Sequence, residues 1–537
     1  MKTWIRILIA PLALAVAAVP ALAQGEHAHG SGVATEGLGE VDFPTSAGAA
    51  AQAQFVRGVA LMHSFEYPAA LRAFSEAQRL EPGFAMAYWG EAMAYNHPIW
   101  MEQDSAAARA ALARLGADPR ARAARAPTER ERDWLSTVEV LYGAGSKESR
   151  DSAYAGAMQR LHEKYPRDAE AASFHALALL GTAHGGRHVP TYMRAAAIVE
   201  EVAHEHPNHP GAAHYLIHAY DDPTHAPLGL RAARAYSGIA PGAAHAQHMT
   251  SHIFIARGMW DEVVSANETA QRVVNEGRAA RGQPATWCGH YAFWLEYAYL
   301  QQGRHADALR ILRDCHAEAS AEGANLNLVR SFMGMRTRYL LDTEDWSGPA
   351  ASMAVTTIHD NPSRLAGAYT TAFSFIRQGE IEGAHVIAQE LSRLRGVIVA
   401  DLAAARVGVS YPQTSQVLEQ QLGAMLLFAH GRRDQAVALL TEAAELEERI
   451  PFEFGPPFID KPSRELLGEM LLELGRPAEA RAAFEAALRQ APLRVQSLRG
   501  LALAHERAGD LARAGEVRAV IAGIQRHADG GRTASGR

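Results

Sequence analysis

Residues 52–84 read QAQFVRGVALMHSFEYPAALRAFSEAQRLEPGF, and residues 466–492 read LLGEMLLELGRPAEARAAFEAALRQAP. Laid side by side, Gly58, Ala70, Phe74, Ala77 and Pro82 of the first stretch fall at the places of Gly468, Ala480, Phe484, Ala487 and Pro492 in the second. Each stretch has apolar residues at helical spacing on both sides of a short break. That pattern predicts two antiparallel helices, with small residues where they approach and a proline that ends the second. Helix pairs that recur at a fixed period bury their apolar faces only by stacking on one another, so the chain reads as a solenoid.

Weaker copies lie between the two ends. YMRAAAIVEEVAHEHP ends at Pro207, LGLRAARAYSGIAP ends at Pro241, GRHADALRILRDC follows a turn at Gly303, and later pairs turn at Gly379, Gly431 and Gly509. The small-residue positions and the Ala-x3-Phe-x2-Ala spacing resemble the tetratricopeptide repeat, which implies an all-α helix-turn-helix solenoid with a concave groove. This solenoid is expected over residues 49–522, with an irregular Ala- and Arg-rich insertion at 101–127 and a frayed polar tail at 523–537. More narrowly, AMAYWGEAMAYNHPIW, HPGAAHYLIHAYDDPTHAPLGLRAARAY, HAQHMTSHIFIARGMWDEVV and KPSRELLGEMLLELGRP resemble exported bacterial tetratricopeptide proteins of unknown biochemical function. The resemblance implies fold and export and assigns no catalytic residue. By family habit it also implies a protein or peptide partner in the concave face.

The first 23 residues carry Lys2 and Arg6 ahead of an apolar run from Ile7 to Val19, then Ala21 and Ala23. This is the pattern of a secretory signal peptide, which predicts a periplasmic or secreted protein with no membrane insertion after cleavage. Residues 24–48, small, polar and rich in Gly and Ala, read as a flexible leader. Loss of the signal moves the formal charge from -7 to -9, and a mildly acidic chain argues against nucleic acid as the main partner.

The stretches HYLIHAYDD (214–222) and HAQHMTSH (245–252) hold the residues that carry chemistry. His214 and His248, and likewise His218 and His252, are one 34-residue repeat apart, and His245 and His290 share an earlier position of successive units. At ~100° per residue, His245, His248 and His252 fall within an arc of ~60°, and His214, His218 and Asp221 form a matching stripe on the preceding unit. Stacked helices would bring the stripes ~10 Å apart. Imidazole with carboxylate suits a borderline divalent ion, so His214, His218, His245, His248, His252, His290 and Asp221 are candidate ligands for a transition metal, zinc or copper. A polar groove for an organic or peptide ligand, or a purely structural hydrogen-bond network, is the alternative for the same residues. Asp222 and His225 in the following loop are candidate groove residues, together with Trp89, Asn96, His97, Phe293 and Tyr297. His204, His206 and His209 read as solvated, and Glu465 and Glu469 as a solvated helix face.

Phosphate-loop, Gly-x-Ser-x-Gly, His-Glu-x-x-His and Cys-x-x-Cys signatures are absent from the sequence. This weighs against an enzyme and leaves open a metal-dependent one, hydrolytic or oxidative, that uses an open position on an ion held by the histidines. The only cysteines, Cys288 and Cys315, would lie on neighbouring helices and form a disulfide or stay free.

Overall fold

A computed structural model describes residues 33–34, 37–355, 360–405, 411–452 and 454–529. The predicted signal peptide, with Lys2 and Arg6, lies outside the described residues, as do His27, His29 and the last eight residues of the tail. Among the described residues there are 25 α-helices, one 3-10 helix and two short antiparallel ribbons. Consecutive helices pack against each other along the chain in an all-α solenoid.

The matched residues of the two repeat stretches explain the stacking. The Phe74 ring, on helix Tyr67–Leu80, sits between Gly58 of helix Ala49–His63 and Gly90 of helix Ala85–Met93. A Cβ at either glycine would overlap it. Phe484 is clasped by Gly468 and Gly500 in the same way. The aromatic ring is thus the tenon and the two glycines the slot, which sets how closely successive units approach. One apolar core runs from Leu38 to Ala350 and a second from Leu341 onward, with Trp346 packed against both.

Three boundaries differ from expectation. The expected flexible leader gives way from Gly37 onward, because Leu38, Val41 and Phe43 are apolar enough to be buried. Phe43 lies 5.0 Å from Phe55 and 5.5 Å from Trp89, and the Glu40 amide donates to the Asn208 carbonyl at 3.0 Å. The expected irregular insertion contains a regular helix, Ser105–Leu115, capped by Asp104 and packed on Ala85–Met93 through Ala108, Ala111 and Leu112. The described start of the tail is docked: Asp529 donates to the Gly303 carbonyl at 3.2 Å and accepts from the Ala306 amide at 2.8 Å.

The superhelix closes on itself. The Trp260 indole donates to the Leu493 carbonyl at 3.2 Å, the Val495 amide donates to Gln301 at 2.9 Å, and Arg494 pairs with Asp342 at 2.6 Å. Glu465 is therefore no solvated face: fully buried, it meets Arg494 at 2.9 Å and Lys461 at 3.2 Å. Glu469 likewise pairs with Lys461 and Arg377. Described residues of the segment between helices Arg433–Arg449 and Ser463–Glu473 fold back as a strap onto the middle units. Pro451 seats on Gly186, Gly455 seats on the Trp294 ring, and Phe454 reaches the histidines. No helix among the described residues is long and apolar enough to cross a membrane.

Candidate metal centre

Helix Pro210–Tyr220 carries His214 and His218, helix Ala244–Ala256 carries His245, His248 and His252, and helix His290–Gln301 begins with the sixth ring. All but His290 are buried, so five of the six rings do not line an open groove. Both long stripes pack between neighbouring first helices, so the repeat register turns into convergence in space.

Hydrogen-bond partners place the proton on four of the six rings. A carbonyl can only accept, so His214 Nδ1, 2.6 Å from the His63 carbonyl, carries the hydrogen. His218 Nδ1 and His252 Nδ1 face the same oxygen, Asp221 Oδ2, at 3.4 Å and 3.0 Å. His248 Nδ1 is 2.7 Å from Asn267 Oδ1, and the Asn267 amide nitrogen, which donates to the Val263 carbonyl at 2.8 Å, orients that oxygen toward the ring. The four Nε2 atoms are consequently left with lone pairs. The Nε2 atoms of His214 and His218, and that of a fifth ring, His245, are buried with no hydrogen-bond partner. Buried polar atoms are normally satisfied, so three orphaned ring nitrogens in one place are unusual.

One ring nitrogen from each of His214, His218 and His245 lies within 4.8 Å of the other two, and the same closure holds for His248, His252 and His290. Burial, with help from the neighbouring imidazoles, keeps His214, His245 and His248 neutral far below the usual imidazole range. Burial pulls His252 down to about 4 against the opposing pull of Asp221. Neutral imidazole is the form that ligates a metal. Phe65, 4.2 Å from His214, walls the inner rings, while Trp294 stacks on His252 at 4.5 Å and Phe454 covers it at 4.7 Å.

Asp221, expected as a ligand, closes within 4.8 Å with His218 and His252 in a group that could itself hold an ion, and it also orients those two rings. Its Oδ2 takes the two ring N–H groups from behind, and its Oδ1 accepts from Arg187 at 2.6 Å. Those donors outweigh the burial that would raise its pKa, and hold the carboxyl ionised.

The other candidates separate from the centre. Trp89 is core, packed among Phe43, Phe55, Trp134 and Phe174. Asn96 and His97 lie in the short ribbon with Glu102–Gln103, where Asn96 accepts from Gln103 and His97 stacks on Tyr67 at 4.0 Å. His225 pairs with Asp222 at 2.7 Å, and Asp222 with Arg187 at 3.0 Å, so both serve to fix the arginine behind Asp221. Phe293 lies under the Arg338 guanidinium at 3.9 Å, and buried Tyr297 packs on Trp260. Tyr297 also lines a cavity of about 250 Å³ beside the strap. Cys288 and Cys315 are joined in a disulfide, which ties the loop before His290 to helix His305–Ala319.

Sequence reading missed a second buried group. His63, from the first helix pair, Glu170, from helix Ala169–Leu180, and His209, expected in solvent, meet at 2.6 Å and 3.1 Å. Arg187, Asn267 and Phe454 were also missed, because the contacts that give them roles join distant parts of the chain.

Residues 466–525 match the family model described as tetratricopeptide repeat, on the same helix pairs in which Phe484 is clasped by its two glycines. Over those residues the chain carries a tetratricopeptide repeat. Among solved structures, this repeat protein aligns with the human IFIT1 dimer with PPP-AAAA at 11% identity, over 88% of this chain and 90% of that one, with a TM-score of 0.34. Yeast Tom70 aligns at 10% identity over 87% of this chain and 89% of that one, with a TM-score of 0.27. The P58(IPK) tetratricopeptide domain aligns at 14% identity over 86% of this chain and 99% of that one, with a TM-score of 0.21. No curated protein matches this tetratricopeptide sequence.

Proposed function

We propose that this repeat protein, exported to the periplasm or secreted, holds a transition-metal ion, zinc or copper, on His214, His218 and His245. The observation that carries the reading is that His214, His218 and His245 each bring a ring nitrogen within 4.8 Å of the others, and that each has a buried Nε2 without a hydrogen-bond partner. His214 and His218 are held by acceptors behind their rings in the manner of metal-ligating histidines. The signal-like first 23 residues and the disulfide support an oxidising, extracytoplasmic setting. A peptide reaching these histidines would have to displace Phe454, which packs on His218 and His252, so ion binding fits the covered rings better than peptide capture.

The test is elemental analysis of untagged protein purified from its natural compartment, beside a variant carrying His214→Ala and His218→Ala. Near-stoichiometric metal in the wild type, lost in the variant while circular dichroism is retained, is the expected result. Metal absent from both, even after loading with zinc or copper and washing, sinks the reading. The enzymatic alternative, hydrolytic or oxidative, has one specific support: His290, beside the buried rings, is exposed to solvent.

A further inference from the structure

The six imidazoles do not converge on one point. Among the described residues the six rings close within 4.8 Å as two separate triads, and a further group, His218, Asp221 and His252, takes one ring from each and bridges them. We infer that the centre is dinuclear, with an inner ion on His214, His218 and His245 and an outer ion on His248, His252 and His290, and that the outer ion alone carries an exchangeable position for water or a small anion. The inference rests on the metal reading above and extends it to a second site and to the ligand class that site takes.

The case for the outer ion is geometric. His248 Nδ1 is committed to Asn267 and His252 Nδ1 to Asp221, so the two Nε2 atoms face each other as lone pairs, 3.3 Å apart. Two acceptors at that distance repel unless a cation lies between them. With metal–nitrogen bonds of ~2.05 Å and a tetrahedral angle, two ligand nitrogens sit ~3.3 Å apart, so the spacing is the one an ion imposes. His290 closes the triad, its ring 4.5 Å from that of His248.

The fully satisfied alternative is seen elsewhere in the same fold. His63 donates to Glu170 and accepts from the Tyr215 hydroxyl at 2.8 Å, and His209 donates to Glu170 and accepts from the Ala212 amide at 3.0 Å. Every ring nitrogen there has a protein partner, so an ion on His63, Glu170 and His209, which also lie within 4.8 Å of one another, would have to displace those hydrogen bonds. The outer and inner triads differ from that group in this respect and from each other in access. His214, His218 and His245 are sealed beneath Phe65 and Trp100, whereas His290 is reached by solvent. Three histidines leave a tetrahedral ion one position short. At the outer site that position opens to exchange, while at the inner site it is enclosed.

Asp221 joins the two sites. One carboxylate oxygen accepts from a ring of each triad, so the ligand sets are braced by a single group backed by Arg187. Loading of one site and the set of the other are thereby mechanically linked.

The experiment uses the full chain loaded with cobalt(II), with His245→Ala and the solvent-exposed His290→Ala as single-site variants, and azide as the probe anion. Two equivalents per chain are expected in the wild type and one tightly held in each variant. Azide should shift the visible cobalt bands in the wild type and in His245→Ala, and leave those of His290→Ala unmoved. One equivalent in the wild type, lost in both variants, would mean a single shared ion and overturns the second site while leaving the metal reading intact. Azide response retained in His290→Ala overturns the assignment of exchange to the outer ion. Absence of bound cobalt from all three proteins defeats the metal reading itself, a result distinct from either.

Discussion

Two groups of buried histidines lie a few residues apart in this fold and have opposite chemistry. Around Glu170, both rings have a donor and an acceptor partner, and the carboxylate accepts from each. Around Asp221, the carboxylate also accepts from two rings, yet the far nitrogens of those rings point away from it: His218 Nε2 has no partner and His252 Nε2 meets only another imidazole. Both groups pair buried imidazoles with a buried carboxylate, Glu170 in one and Asp221 in the other. The difference is the presence, in one case only, of Tyr215 and the Ala212 amide to fill the second nitrogen. A histidine cluster is therefore read by counting lone pairs after the protons have been placed, and not by counting histidines.

The largest effect should come from breaking the satisfied group. Glu170→Ala strands two buried ring N–H donors, and removal of one partner from such a network costs about 3–5 kcal/mol. The urea midpoint should fall accordingly while metal content per folded chain stays unchanged. Metal loss in this variant at full helicity would erase the contrast between the two groups.

Asp221→Asn attacks the equivalent carboxylate of the other group and should read out differently. Loss of a carboxylate behind ligating rings weakens metal affinity by about 10–100-fold. Competition with a chromophoric chelator measures it, and an unchanged affinity alongside lowered stability would make Asp221 a structural residue like Glu170.

The smallest effect tests the same rule on carboxylates alone. Burial would raise the Glu170 pKa, but attraction to His63 and His209 and their hydrogen bonds keep it well below the usual range. Glu447, beside the strap, accepts from Ser463 and lacks such donors, and burial pushes it up to about 7. Between its ordinary value of 4.5 and that raised value the folded state binds more protons than the unfolded one. Glu447 thus contributes a stability that is present below that window and falls as pH rises through it. Glu447→Gln should flatten the slope of unfolding free energy between about pH 5 and pH 7, followed by urea titration at several pH values. A slope identical to wild type would assign the proton to another group.

Much of the scaffold was legible because it is periodic. Gly58, Phe74, Gly468 and Phe484 sit at equal spacings, and the same period carried His214 and His218 onto His248 and His252. What periodicity could not show is anything fixed by a single contact between distant segments. Phe454 joins the histidines only because the strap folds back onto the middle units, and His63 meets Glu170 across 107 residues. The residue types at Glu465 and His209 favoured solvent, and each is buried because a partner outside its own repeat takes its charge or hydrogen bond: Arg494 for one, Glu170 for the other. The leader misread has a different cause. Leu38, Val41 and Phe43 are too few to form a pattern, yet each finds a place in the core.

The closure of the superhelix changes how the chain must come apart. An open repeat array unravels from its ends, one unit at a time, with each unit's loss independent of distant ones. Here the Trp260–Leu493, Gln301–Val495 and Asp342–Arg494 contacts make the last units neighbours of the middle ones. The last described helix, Leu511–Ile524, buries only Ala514, but the turn before helix Val495–Arg507 is anchored on the middle units, and removing it would expose Trp260 and Tyr297. Such a chain should lose its C-terminal and central repeats in one cooperative step, more like a globular domain than like a string of separable parts.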